Sequence, residues 1–383
     1  MIGVIADDLT GAAELGAGGL RYGLRAEIVR NGEPGGTADL VCVDTDSRSC
    51  KPAEAARRAA AAAKMLQRAG VKWIYKKVDS VLRGNVTAEV EAVMQQLQFN
   101  RALLLPANPT LGRVIRSGEY FIHGQPIHRT EFAKDPEYPR RSSQVMRLLD
   151  APQHFLMRLA NGELRVPDNT LLIGQADSAE RVHEWARICG TALLPVGGSE
   201  FFGALLATTR AGSAPLEAED IDFMAGKQLF VCGTASPQAQ LLIKKARAAG
   251  TPVFTLPRNL MWDGKFSAGA QPVIAQRVVA AFAESRRVLL AVGLPPVAET
   301  AVARCLADNL VDIAELVLRS ESVQNIFAEG GATAAELVRR MNWPRLEVRR
   351  EWAPGVATLA VVGESALWLT IKPGSYSWPS QWT

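Results

Sequence analysis

The feature that most constrains this chain is an alternation of short apolar runs with amphipathic or alanine-rich segments through its first third. Ile2–Ala6, Arg25–Val29, Leu40–Asp44, Trp73–Val78 and Arg101–Pro106 read as strands. Between them, Thr10 can cap a helix running to about Tyr22, with Gly23 to stop it. Lys51–Ala69 is alanine-rich, with Pro52 in its first turn and Gly70 at its end, and Val86–Leu97 is amphipathic. Strands that alternate with helices pair side by side in parallel, because the helix carries the chain back across the sheet. The expected fold is α/β and doubly wound.

The pattern continues beyond that point. Glu119–His128 reads as a hairpin turning at His123-Gly124. Thr170–Ile173, a helix over Ala179–Cys189, Ala192–Val196 and a helix over Glu200–Ala207 complete a first series. A mixed Gly, Ser, Pro and acidic stretch follows, and a second α/β series begins at Leu229–Cys232. It continues with a helix opened by Gly233-Thr234-Ala235-Ser236 and strands at Val253–Leu256 and Val288–Val292. Asn325–Ala328 then runs into Glu329-Gly330-Gly331-Ala332-Thr333 and a helix to Met341. Leu346–Trp352, Thr358–Val362 and Ala366–Ile371 look antiparallel. A length of 383 residues exceeds one ordinary core. Two domains are expected, residues 1–208 and 228–383 joined by a linker over 209–227, each with a mostly parallel sheet flanked by helices and an active site in the cleft between them.

Composition excludes several classes. Hydrophobic residues make up 48% and charged residues 21%, with mean hydropathy +0.03, as in a foldable globular chain. A net charge of +4 without any long basic run argues against a nucleic-acid partner. No apolar run approaches a membrane span, and two acids by position 8 argue against a secretory leader. None of the five cysteines form a CxxC pair, so they read as reduced thiols of a cytoplasmic protein. Oligomeric state is not legible in any motif, and a homodimer is retained as one option.

The familiar nucleotide loops are missing: there is no GxxxxGK[ST], and Gly16-Ala17-Gly18-Gly19 lies inside a predicted helix. Two strand-to-helix glycine turns, at Gly233–Ser236 and Gly330-Gly331, could admit a phosphate to free backbone N–H groups. In the first half, polar clusters end three predicted strands: Asp7-Asp8, then Asp44, Asp46 and Arg48, then Lys76, Lys77, Asp79, Ser80 and Arg83. Ligands of open parallel sheets bind at the carboxyl ends of strands, so the three clusters should converge. A carboxylate there can take a proton from an alcohol, and Arg or Lys can clamp a substrate carboxylate. The alternative is that Asp8 and Asp79 only cap helices. His123 and His128, five apart, read as structural or substrate-contacting rather than metal-binding. The aromatics Trp368, Tyr376, Trp378 and Trp382 read as packing rather than as a platform for a base.

These residues also spell a known set of motifs. The chain resembles the four-carbon acid sugar kinase family in ADDLTGA (Ala6–Ala12), T-x-S-R (Thr45–Arg48) and KKxDSTLRGN (Lys76–Asn85, with Val81 in place of Thr). It is similar to that family also in PAxPxxGR (Pro106–Arg113), in the stretch Ile122–Pro136 and at Gly198-Ser199. The second half departs more: Ala332 replaces the acid of the family's GG-acid-T turn, and the tail reads Lys372-Pro373-Gly374-Ser375-Tyr376-Ser377. The resemblance implies ATP-dependent phosphorylation of a tetronate, with the acid sugar in the N-terminal domain and the nucleotide in the C-terminal one. On that reading Asp8 is the expected base, with Asp7 beside it. Lys77, Asp79, Ser80 and Arg83 bind the acid, and Arg48 assists its carboxylate. Ser236, Gly330, Gly331, Thr333 and Gly374 surround ATP, with Mg²⁺ neutralising its phosphates, and domain closure would exclude water. The rivals are an enzyme of another reaction class with a drifted nucleotide site, and a silent sugar-acid-binding or regulatory protein.

Overall fold

The structure is a computed structural model describing the whole chain except residues 136, 150–155, 161–166, 211, 218–221, 224, 260–268, 296–299, 375–377, 380–381 and 383. Two compact units result, Met1–Leu216 and Glu217–Thr383.

In the first unit the apolar runs form β1 (Ile2–Ala6), β2 (Ala26–Val29), β3 (Leu40–Asp44), β4 (Trp73–Lys77) and β5 (Arg101–Leu105). These are joined by β9 (Leu156–Ala160), β10 (Thr170–Gly174) and β11 (Leu194–Gly197). Their order is β2-β3-β1-β4-β11-β5-β10-β9, and every pairing is parallel. Strands buried on both faces need continuous apolar sequence, which is why β1 and β3 read so plainly. The helices are α1 (Leu9–Leu20), α2 (Pro52–Arg68), α3 (Val86–Leu97), the short α4 (Val145–Leu148), α5 (Ala179–Cys189) and α6 (Ser199–Thr209). Helix α2 buries Ala55, Ala59, Ala62, Ala63 and Leu66, a stripe at helical spacing. Tyr75 and Phe202, 5.0 Å apart, anchor the core, and the Tyr75 hydroxyl donates to Gly198 O at 2.7 Å.

The expected hairpin is present as β7 (Glu119–Ile122) and β8 (Gln125–Pro126), with His123 and Gly124 both at positive φ in its turn. It is the outer part of a three-stranded antiparallel sheet completed by β6 (Arg113–Arg116), which the sequence did not announce.

The second unit carries β12 (Gln228–Cys232), β13 (Val253–Thr255), β14 (Arg287–Ala291), β15 (Asn325–Glu329), β16 (Arg345–Ala353), β17 (Val356–Val361) and β18 (Trp368–Lys372). Their order is β13-β14-β12-β15-β18-β17-β16. The first five are parallel; β17 lies antiparallel to both β18 and β16, as the last third of the sequence suggests. The helices are α7 (Pro237–Ala248), α8 (Ala270–Ala281), α9 (Thr300–Ser320) and α10 (Gly331–Arg340). Helix α8 was not expected from sequence: Gly269 precedes it with no capping side chain, so its start carries no signal. Phe230 stacks on Phe327 at 4.3 Å, and Trp378 and Trp382, 8% and 1% exposed, close over them. These two terminal tryptophans are core residues.

Candidate functional site: two polar centres at strand ends

In the first unit the chain leaves β1 for β2 and β3 on one side, then crosses back to β4 on the other. Such a reversal opens a crevice beyond the carboxyl ends of the two central strands. Asp7-Asp8 follows β1 and Lys77–Arg83 follows β4, so both clusters face that crevice.

Arg48 ties them together. Its Nε and Nη2 donate to the two oxygens of Asp7 at 2.7 and 2.9 Å, and its Nη1 donates to Asp8 Oδ2 at 2.6 Å. Asp79 Oδ1 lies 4.0 Å from Arg48 Nη2. Asp79 is held in turn by a two-pronged bond from Arg83, at 2.9 Å for both contacts, and accepts the Val81 and Arg83 backbone N–H groups. Arg83 also donates to Asp135 at 3.2 Å. Lys77 Nζ pairs with Glu14 on α1 at 3.2 Å and donates to Val78 O. The Ser80 hydroxyl meets the Arg113 guanidinium, while its carbonyl accepts the Tyr120 hydroxyl at 2.5 Å. Asp7, Asp8, Arg48, Asp79 and Arg83 therefore form one connected network, and Lys77 and Ser80 stand beside it with partners of their own. Asp8 does cap α1, accepting the Gly11 N–H at 2.8 Å, so the capping reading is correct as far as it goes.

The two neighbouring aspartates are driven apart. Burial opposes ionisation of Asp7, but the Arg48 guanidinium and its hydrogen bonds hold the carboxyl below its usual range. For Asp8 burial prevails over Arg48, assisted by the charge of Asp7, and its carboxyl is raised. The side chain of Asp8 is 21% exposed against 5% for Asp7, so it is the more accessible of the two. Burial also works against Asp79, yet Arg83 and Arg48 keep it well below the ordinary value. Two adjacent carboxyls with opposite shifts are the usual mark of divided acid–base roles.

Behind this network lies a support that sequence reasoning missed. Lys76 Nζ and Glu89 Oε2, 0% and 2% exposed, form an ion pair at 2.8 Å. Glu89 also accepts the Ser47 hydroxyl at 2.8 Å, and Lys76 donates to Lys77 O at 2.7 Å. The pair thereby braces the loop bearing Arg48 against the end of β4. The Tyr138 hydroxyl reaches Arg48 O from the segment after the hairpin. Glu14, Glu89 and Tyr138 carry no pattern of their own; only the fold brings them here. Asp135 and Arg113 do sit inside motifs already visible in the sequence.

The second unit has its own reversal. Beyond β12 the chain builds β13 and β14 on one side before returning to place β15 on the other. Both glycine turns follow these central strands, and Pro373-Gly374 follows β18 next to β15. The turns interlock: Gly233 N donates to Glu329 O at 3.0 Å and Gly330 N to Lys372 O at 2.9 Å. Gly330 has φ +105°, where a side chain would be strained. A Cβ on Gly233 would lie 1.8 Å from Thr333 Oγ1, and one on Gly374 3.1 Å from Thr234 Oγ1. Ser236 caps α7 by accepting the Ala239 N–H at 3.1 Å. Gly233, Ser236, Gly330, Gly331, Thr333 and Gly374 are thus gathered at one sheet edge, beside two helix N-termini, a setting suited to phosphate. The tail residues Ser375-Tyr376-Ser377 lie outside the described residues.

The donor set at these turns fits a nucleotide better than it fits a metal. Ala332 brings no carboxylate. Glu329 is 1% exposed and committed to Lys372 at 3.3 Å and to the Trp378 indole N–H at 2.8 Å. Among the described residues no cluster of three or more His, Cys, Asp or Glu side chains could hold a metal ion. Mg²⁺ commonly keeps several waters and binds through substrate phosphates, and among the described residues these turns offer it hydroxyls and carbonyls but no uncommitted carboxylate.

Gly233→Ala is expected to weaken Mg-ATP binding at least tenfold, because the added methyl must displace Thr333 and part the two turns. Calorimetric titration checks it; unchanged affinity would remove these turns from the nucleotide site.

Residues 2–184 match a family model described as a sugar-binding N-terminal domain, and residues 229–376 one described as a nucleotide-binding C-terminal domain. The chain is 36% identical over 150 residues to the D-threonate kinase of Salmonella typhimurium, a stretch covering 38% of this chain and 35% of that protein. It is 26% identical over 411 residues to the 3-oxo-tetronate kinase of Pseudomonas fluorescens, covering 98% of this chain and 94% of that protein. The solved structure of Haemophilus influenzae protein HI1011 shares the fold, with a TM-score of 0.74 at 22% identity, over 98% of this chain and 97% of that one. Both domain models fall in order along most of the sequence, and the chain belongs to the four-carbon acid sugar kinase family.

Proposed function

We propose that the protein is an ATP-dependent kinase that phosphorylates a hydroxyl of a four-carbon sugar acid of the threonate, erythronate or 3-oxo-tetronate kind. The observation that carries this reading is the convergence of Asp7-Asp8 and Asp79-Arg83 on the Arg48 guanidinium beyond the carboxyl ends of β1 and β4, at the first unit's sheet reversal. A threonate kinase and a 3-oxo-tetronate kinase among the relatives support it.

Asp8 accepts the proton of the substrate hydroxyl as its oxygen attacks the γ-phosphorus, and the bond from that phosphorus to the β-phosphate oxygen breaks to release ADP. Asp7 stays ionised and holds Arg48, which fixes the position of Asp8. Lys77, Ser80 and Arg83, with Arg113 beside Ser80, provide the donors that select an acid with hydroxyls. In the second unit the glycine turns hold the phosphates through backbone N–H groups. Mg²⁺, brought with the nucleotide, supplies charge neutralisation. Five free thiols suit a reducing cytoplasm.

The test is an ATP-consumption screen against D- and L-threonate, D- and L-erythronate, 3-oxo-tetronates and 4-hydroxythreonine. Turnover of at least one tetronate is expected. Binding of a tetronate without any ATP consumption would favour a silent binding protein instead. Because Asp8 must be ionised and its carboxyl is raised, kcat/KM should fall as pH drops through a value above the ordinary aspartate range. An acid limb below that range in the pH–rate profile would count against Asp8 as base.

A further inference from the structure

The three strands that lead into the glycine turns also end on a buried polar cluster. Cys232, Glu329 and Lys372 are the last residues of β12, β15 and β18, and they stand in register across the sheet. Side chains in register on neighbouring parallel strands point to the same face. Glu329 and Lys372, each 1% exposed, therefore meet: Glu329 Oε1 lies 3.3 Å from Lys372 Nζ. The Lys372 ammonium also donates to Pro373 O at 2.9 Å and lies 5.4 Å from the centroid of the Trp378 ring. Trp378 in turn donates its indole N–H to Glu329 Oε2 at 2.8 Å.

Gly374 lies between these two attachments along the chain. On one side Pro373 is held through Lys372, and on the other Trp378 is held by Glu329 directly. The turn pinned in this way meets its neighbours closely: a Cβ on Gly374 would be 3.1 Å from Thr234 Oγ1, and Gly330 N donates to Lys372 O. Buried as they are, neither charge can touch a phosphate, so any effect on a bound anion passes through the turns. Without the carboxylate charge, a buried ammonium would face a neutral group. A cation kept from water without a counter-charge is costly. Moving outward relieves it, and Pro373 moves with it.

We propose, resting on the reading that these turns hold the nucleotide, that Glu329 is a positioning residue for the phosphates of ATP. Through Lys372 and Trp378 it fixes the Pro373-Gly374 turn against the Gly233 and Gly330 turns. It thereby sets the spacing of the backbone N–H groups from which phosphate oxygens accept. A buried Lys–Glu pair thus underlies the polar centre of each unit, Lys76 with Glu89 in the first and Lys372 with Glu329 in the second.

Calorimetric titration of the full chain with Mg-ATP tests this role. Glu329→Gln is expected to raise the dissociation constant about tenfold. In turnover of whichever tetronate the parent accepts, KM for ATP should rise by a similar factor, while kcat at saturating ATP and KM for the acid change less than about twofold. Lys372→Met with Glu329→Leu removes both buried charges. Its urea midpoint should return close to that of the parent, yet its Mg-ATP binding should stay about tenfold weaker. Leu310→Ala, a large-to-small change in the core at α9, should lower the urea midpoint and leave the Mg-ATP affinity unchanged. Should Glu329→Gln fail to fold, the double variant decides by the same comparison. A parent that binds no Mg-ATP would overturn the nucleotide reading of these turns and this role with it. A parent that binds Mg-ATP while Glu329→Gln and the double variant bind it equally well would overturn the positioning role alone. So would a double variant that recovers affinity together with stability, or a Leu310→Ala that loses as much affinity as Glu329→Gln.

Discussion

Asp8→Asn is expected to lower kcat by about 10²–10⁴-fold, the range that a positioned general base contributes, while leaving the fold intact. Asparagine is nearly isosteric and is itself a favoured helix cap, so the bond from the Gly11 N–H to this position survives. Arg48 keeps both its bonds to Asp7, so the loop carrying it stays in place. What is lost is the ability to accept a proton. Tetronate and Mg-ATP affinities should change far less than kcat, and the acid limb of the pH profile should vanish from the residual rate. A variant that keeps full turnover in a coupled ADP-release assay would remove Asp8 from the role of base and return it to that of a cap.

The largest effect on stability is expected at Lys76. Replacing it by methionine leaves Glu89 buried without its cation, and breaking a buried pair from one side costs about 3–5 kcal/mol. Glu89 retains the Ser47 hydroxyl, but burial already raises its carboxyl and Lys76 is the main opposing influence. Without Lys76 the folded state favours the protonated acid more strongly still. A group whose folded pKa lies above its unfolded one contributes stability at low pH that is lost as pH rises through the folded value. The deficit of Lys76→Met should therefore be smaller at pH 5 than at pH 8 in urea titrations. Removing both charges, as Lys76→Met with Glu89→Leu, should recover most of the loss. A single variant within 1 kcal/mol of the parent would mean that the pair is not a structural brace.

How much of this was legible beforehand follows from where each signal resides. Apart from the edge strands β9 and β13, the parallel strands of both units are mostly buried, so their sequences are largely apolar runs, and both sheets could be read from them. The antiparallel strand β6 and the edge strand β9 lack such runs: β9 is mostly exposed, and Arg113–Arg116 begins and ends on arginine. Helix α9, Thr300–Ser320, is strongly amphipathic, so its sequence carries a helical periodicity although no strand-end cluster or glycine turn marks it.

The same division holds at the site. Asp7, Asp8, Arg48, Lys77, Asp79, Ser80 and Arg83 were visible because acids and bases clustered at the ends of apolar runs, and parallel sheets place such ends on one edge. Their partners could not be read. Arg48 reads as a free cation for a substrate carboxylate, yet the structure commits all three of its nitrogens to Asp7 and Asp8. Glu14 for Lys77 and Glu89 for Lys76 lie on helices whose sequence shows only an acid at an ordinary position.

The opening alternation of strands and helices thus determined by itself the α/β architecture, and the clusters at strand ends determined which residues would meet. Only the tertiary structure decided who pairs with whom, and hence which of two adjacent aspartates is raised and which is lowered. Proximity along the chain made them equal. Burial and the placement of one guanidinium, both set by contacts 40 residues and more apart, made them different.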